Sequence, residues 1–441
     1  MTDNNTSRSN SPILVEGRGK DDDVESGMET PDVNSVKSES DSKIPPPDTG
    51  YAWVIMVACL FNMLLAFGSF NAFGIFQTYY LEVKFRNTSA ETIDWIGTAS
   101  GFITFTGGLT AGPIIKRIGI RNTSLLGSVI CATGLLLASF SNKIWQYILT
   151  QGLIFGYGTS LIVNVSLSVP ALWFDKYRGL AIAVVSSGGG FGALILIPII
   201  NKVLNKAGIG WAFRTLCFLY LLLTGIPGLL LKPRSTYQPS DTILDLKMLK
   251  NPITIALCLV GFFMTIGFYI PSLYFPTNFV EIGRSNNQSI YFIMIFCSAS
   301  GLSRIGCLPL TKYFKPTTIM FVCHMITGII MMAMWYPSKK FSVLMAFYVL
   351  MGFVSIPYMA LGPALTAKHF PKESVSQVNA LTYLAMGIAI LISFPSVGVA
   401  FDKIGHKTDF KSIVLIGAIA YFISAICVIY LRYTLRGTKE L

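Results

Sequence analysis

The sequence is poor in charge. Asp, Glu, Lys and Arg make up 13% of its 441 residues, where a soluble domain carries about a quarter. With 52% hydrophobic residues and a mean hydropathy of +0.59, the chain cannot cover a water-facing surface. That excludes an ordinary soluble enzyme and leaves an integral membrane protein with many spans. Histidine is scarce, with three widely separated copies, so no zinc site assembles. The eight cysteines include no CxxC pair. Most of them (Cys59, Cys131, Cys217, Cys258, Cys297, Cys323 and Cys427) fall inside apolar runs and read as small packing residues. No disulfide, metal or cofactor is therefore expected. The strict alternation of a barrel strand is missing as well, since the apolar stretches run well past the roughly ten residues such a strand needs.

What the chain has is apolar length. Twelve helices are predicted, over 52–80, 93–115, 121–140, 145–172, 179–201, 211–231, 252–280, 289–311, 317–336, 341–367, 375–401 and 411–433. Each can cross ~30 Å of hydrocarbon at about 1.5 Å per residue. The longest polar connection, "KPRSTYQPSDTILDLKMLKN", follows the sixth helix. The organisation expected is a disordered tail over 1–47, a six-helix half over 48–231, a central loop over 232–251, a second half over 252–433 and a short end at 434–441. Within the loop, "ILDLKMLK" has the pattern of a short interfacial helix. No cleavable signal peptide is read in the tail.

The net charge of +12 is split. Residues 1–50 hold eleven acids and five bases, and the remainder holds eleven acids and twenty-nine bases. The basic residues sit in short loops between apolar runs, a pattern of membrane topology and not of nucleic-acid binding. Loops after even-numbered helices carry 13 Lys and Arg against 11 after odd-numbered ones, and the C-terminal end raises the first count to 16. Both termini are therefore expected in the cytosol. The sequons at Asn87 and Asn287 would then face outside as glycosylation acceptors.

Two words narrow the class. "DTGYAWVIMV" (48–57) precedes the first helix, and "WFDKYRGLAIAVVSSGGGFG" (173–192) opens the fifth. Both resemble the signatures of the monocarboxylate transporter family within the major facilitator superfamily. Asp48, Gly50 and Trp53 match the first word, with Thr49 and Ala52 where that family has glycine. Gly188, Gly190 and Gly192 belong to the second. "NAFGIFQTYYLE" (71–82) is similar to the first helix of fungal members. The resemblance covers roughly residues 45–435. It implies an all-α membrane protein of the major facilitator fold, with twelve helices in two six-helix halves. The glycine run also has a direct reason: without side chains, helix backbones approach closely and slide. A phosphate-binding loop is excluded there, because no Lys-Ser/Thr follows.

"GPIIKRIGIR" (112–121) resembles the superfamily's loop between its second and third helices, with Lys116 where that loop has an acid. Lys116 and Arg117, with Lys176 and Arg178 at the start of the fifth helix, are candidate gating residues or topology anchors.

One charge stands inside a span. Arg304 lies within "MIFCSASGLSRIGCLPL" (294–310). A mid-span arginine costs at least ~2.5 kcal/mol and usually faces a cavity or a partner. The resemblance aligns it with an arginine thought to meet the substrate carboxylate. The proton-coupling Asp and the substrate-contacting Lys of that family align with Ser300 and Ala72, so two of the three charged groups are absent. Asp94, Asp175, Glu281, Glu373 and Asp402 fall at helix ends or in loops, which leaves His324 as the ionisable group within a span. Arg304 is read as a fixed positive point on a hydrated passage, and a role in holding main-chain carbonyls between helices stays open. Further candidates for the solute site are Asn62, Asn71, Asn164, Tyr269, Tyr274, Tyr358, Asn379 and Tyr383, since amides and hydroxyls within spans need partners.

The function expected is a secondary transporter, not an enzyme. It would move a small organic solute, riboflavin-like or an organic anion, by alternating access. A proton-linked monocarboxylate symporter and a non-transporting sensor of the same fold stay open as alternatives. The expected partners are the solute and the lipid bilayer, and the transport unit is expected to be monomeric. The expected location is the plasma membrane, with the vacuolar membrane as alternative.

Overall fold

The computed structural model describes residues 45–234, 246–283, 286–405 and 409–437. The expectations for residues 1–44, for 235–245 of the central loop, and for the basic residues Arg284, Lys407 and Lys439 lie outside that set. So does the side chain of Asn287.

Among the described residues, ten continuous helices are long and apolar enough to cross a membrane. Two are double-length. Glu91–Ala138 has 48 residues and Arg178–Leu230 has 53. At about 1.5 Å per residue these would reach about 70–80 Å, more than twice the ~30 Å of hydrocarbon. Each is broken at one glycine, Gly119 (φ 83°) and Gly208 (φ 81°). In that left-handed conformation a Cβ would be strained, so glycine is where the helix can reverse. Splitting there gives twelve spans.

They are α1 (Gly50–Tyr79), α2 (91–118), α3 (120–138), α4 (Ile144–Trp173), α5 (178–207), α6 (209–230), α7 (Pro252–Glu281), α8 (Asn286–Leu310), α9 (Pro316–Trp335), α10 (Phe341–His369), α11 (Lys372–Lys403) and α12 (Lys411–Gly437). The twelve expected segments all have a counterpart within a few residues. With an even number of crossings, α1 begins and α12 ends at one end of the bundle. We call it the terminal end and its opposite the far end.

Local chemistry bends several spans. Helix α10, expected to be continuous, stops at Val354 and resumes at Tyr358, because Pro357 disfavours a helical Ile356. Turns of π-helix occur at Tyr80–Lys84, Ile148–Ile154 and Met331–Trp335. "ILDLKMLK" is described only from Leu246, where Leu246–Lys250 forms a 3-10 turn leading into α7.

Within the first half, α1 packs on α5 and α4, and α3 on α4. Within the second, α7 packs on α12 and α11, and α8 on α10. The two halves meet chiefly along α5 with α8 and along α2 with α11. These two seams position everything that follows.

Candidate functional site: a cavity between the halves

The α5 seam is a glycine seam. A Cβ at Gly192 would run into the Leu64 carbonyl, and one at Gly68 would stand 2.7 Å from the Gly192 carbonyl carbon. On the other face, a Cβ at Gly190 would stand 2.5 Å from the Gly301 nitrogen and would overlap the Cys297 carbonyl. Here α5 touches α1 and α8 backbone to backbone, and side chains cannot intervene.

Arg304 closes this seam. Its Nη1 donates to the Ser186 carbonyl at 2.5 Å, across from one half to the other. The residue is 6% exposed, and its Nε finds no partner among the described residues. Helix α5 carries that carbonyl just before the glycine run, which is how the guanidinium gets close enough. The expectation of a guanidinium on a hydrated passage is corrected for this conformation. Arg304 faces a main-chain oxygen, because the glycines bring α5 within its reach.

Toward the far end the halves separate around a cavity of about 520 Å³. It is lined from α1, α2 and α5 of one half and α7, α8, α10 and α11 of the other. Its walls are aromatic. The Tyr269 ring meets Phe70 and Phe394, each edge-on at 5.5 Å between centroids. Phe296 stacks on Tyr348 at 4.7 Å, and Tyr274 leans on Phe401 at 5.1 Å. Its polar groups include Asn71, whose Nδ2 donates to the Gly189 carbonyl at 3.1 Å, and Gln77, whose Nε2 donates to Asp94 Oδ1 at 2.5 Å. Arg304 is not among the described residues that line the cavity.

The sequence candidates divide accordingly. Asn71, Tyr269 and Tyr274 line the cavity. Tyr358, Asn379 and Tyr383 line a separate pocket of only about 10 Å³ between α10 and α11, toward the terminal end. Asn62 is fully buried, its Nδ2 on Ser124 Oγ at 3.4 Å. Asn164 Nδ2 donates to the Gly108 carbonyl at 3.3 Å, between α4 and α2. His324 is fully buried between α9 and α12, with Nδ1 on Ser424 Oγ at 3.0 Å, and does not line the cavity. Asn87 is exposed in the turn between α1 and α2.

Three carboxylates border the cavity. Glu91, Asp94 and Asp402 all line it, Asp94 and Asp402 from the helix ends where the sequence places them, so His324 is not the ionisable group at the passage. The readable signal was parity: Asp94 opens an even-numbered span and Asp402 closes an odd-numbered one, which puts both at the far end.

The two signature words meet at the terminal end. The Asp48 carboxylate accepts the backbone N–H groups of Lys176 and Tyr177, at 3.1 and 3.3 Å, and so caps the start of α5. Asp48 stands at φ 61°, and its own N–H donates to the Trp173 carbonyl at 3.0 Å. Trp53 packs edge-on against Phe174 at 5.3 Å. Gly50 has open space around it. Lys116, Arg117 and Lys176 are exposed and Arg178 is half-buried. Lys176 Nζ lies 5.3 Å from the ring centre of Tyr177.

Two six-helix halves enclosing a cavity open at one end and sealed at the other define a membrane transporter. The profile of the Major Facilitator Superfamily matches residues 58–339 and 257–440. The chain belongs to that superfamily. Among curated relatives, it is 29% identical over 410 residues to the MFS transporter asaE of Aspergillus flavus, covering 90% of this chain and 92% of that protein. It is 30% identical over 390 residues to the fujikurins efflux protein of Gibberella fujikuroi, covering 87% and 81%. Its fold matches the solved proton:xylose symporter XylE with a TM-score of 0.69 at 14% identity, over 85% of this chain and 94% of that one.

Proposed function

We propose that the protein is a secondary transporter that exports a small organic solute by alternating access. The observation that carries this is the asymmetry of the cavity: open toward the far end, and closed toward the terminal end by the α5–α8 glycine seam and the Arg304–Ser186 bond. The direction follows the fujikurins efflux protein, whose name states export. With both termini in the cytosol, this conformation faces outward. We place the protein in the plasma membrane as a monomer, with halves 48–231 and 252–433 joined through 232–251.

We further propose that it belongs to a monocarboxylate-transporter-like branch. What supports this is that the two signature words fold against each other through Asp48. A lactate–proton mechanism is not part of the proposal, since Ala72 and Ser300 are uncharged and buried.

Spin labels test the mechanism. Lys176→Cys with Lys312→Cys reports the terminal end, and Lys143→Cys with Lys339→Cys the far end, all four positions being exposed. Alternating access requires that a shift which lengthens one distance shortens the other. Distances that never move in opposite senses would refute it. Uptake and release of radiolabelled riboflavin and lactate, with and without a pH gradient, test the transport reading. Strong lactate uptake driven by external acid would favour proton-linked symport instead.

A further inference from the structure

The charge lining the cavity is of one sign. Among its described lining residues are three carboxylates (Glu91, Asp94 and Asp402) and no Lys, Arg or His. Asp94 comes from α2 and Asp402 from α11, one from each half. Around Gly398, one turn before Asp402, a Cβ would stand 3.4 Å from the Tyr274 hydroxyl and 4.0 Å from Asp94 Oδ2. Asp94, Asp402 and the aromatic side chains of Tyr274 and Phe401 therefore border one stretch of the rim. A carboxylate beside aromatic faces attracts a cation twice, by its charge and by the ring quadrupoles. An anion placed there would meet only repulsion.

The inner wall supplies a second observation. Tyr269 is 5% exposed and lines the cavity, and its hydroxyl has no hydrogen-bond partner among the described residues. Because Tyr269 lines the cavity, its hydroxyl is available to a solute that enters. Arg304 does not line the cavity, and its Nη1 is engaged by the Ser186 carbonyl.

We propose that this cavity takes an aromatic solute bearing a positive charge, with its rings among Phe70, Tyr269 and Phe394 and its cationic group between Asp94 and Asp402. An acceptor on the inner edge of the solute meets the Tyr269 hydroxyl. This rests on reading the cavity as the solute site and replaces the expectation of an organic anion. The inward-facing arc of the transport cycle would carry the charge past α2 and α11 as those helices separate or close.

Binding to the purified full chain tests it without requiring flux. The probes are pyronin Y, a flat xanthene cation, fluorescein, which carries the xanthene as an anion, and riboflavin, an uncharged flat ring. Fluorescence anisotropy is expected to show saturable binding of pyronin Y and none of fluorescein. Riboflavin should bind roughly tenfold or more weakly than pyronin Y. Asp94→Asn with Asp402→Asn should weaken pyronin Y roughly tenfold or more. Should that pair fail to fold, the unmutated chain still decides, because added salt must weaken pyronin Y and leave riboflavin unchanged. Asp402→Lys, at the rim, should shift preference toward fluorescein. Fluorescein or riboflavin binding as well as pyronin Y, or pyronin Y binding indifferent to salt and to both carboxylates, overturns the proposal. Selective pyronin Y binding in a chain whose spin-label distances never alternate would keep this inference and sink the transport reading.

Discussion

Replacing Arg304 by Met separates two effects that a buried arginine usually mixes. The thioether fills much of the same volume, but the bond to Ser186 is lost. A hydrogen bond from a charged donor contributes about 1.5–3 kcal/mol. The bond joins the halves at the closed end, so its loss weakens the far-end-open state relative to its inverse. At about 1.4 kcal/mol per tenfold, the ratio of the two states should move roughly 12- to 140-fold. Stability against unfolding should move differently. The arginine is 6% exposed with Nε unpartnered, and removing a charge from the membrane interior relieves at least ~2.5 kcal/mol. Arg304→Met should therefore melt no lower than the parent while its conformers redistribute. Spin labels on Lys176→Cys and Lys312→Cys read the ratio directly, and a melt of the same sample reads stability. The longer distance should grow. A distribution identical to the parent, in protein that melts normally, would refute the seam as the closed gate.

Other outcomes follow from the same contacts. Gly192→Ala drives a methyl into the Leu64 carbonyl and should leave little folded protein on size-exclusion, whereas Gly50→Ala, with open space around it, should change stability by less than about 0.5 kcal/mol. Asp48→Ala strips the acceptor from two N–H groups at the start of α5 and should lower stability by about 1–3 kcal/mol. Asp48→Asn should lose less, because Asn tolerates φ 61° and keeps one acceptor oxygen, and thermal melts rank the pair. His324→Gln should lower melting temperature and leave the pH profile of any flux unchanged, since the ring bonds Ser424 away from the cavity. A shifted profile would bring that histidine back as a coupling group.

The spans were legible because each is a long apolar run, and a backbone in lipid must satisfy its own hydrogen bonds. Arg304 was legible as an outlier for the same reason. Its partner was not, since a main-chain carbonyl 118 residues away has no side-chain signature. The glycine run announced close packing without saying against what. In the structure it is pressed by α1 on one side and α8 on the other. Among the polar candidates, Asn71 and Asn62 looked alike, and their depth and facing along α1 send one to the cavity and the other to Ser124.

Composition and run length by themselves determined a twelve-helix membrane protein and its even parity, and the resemblance of two short words drew attention to Asp48 and the glycines. Those features are local, or sums over the chain, and solvation in lipid leaves them little choice. Which acids border the passage was decided only by the tertiary fold. Asp94 and Asp402 are more than three hundred residues apart, and each is an ordinary helix-end residue until α2 and α11 cross. Electrostatic character is a property of what converges in space, and a sequence read in order does not record it.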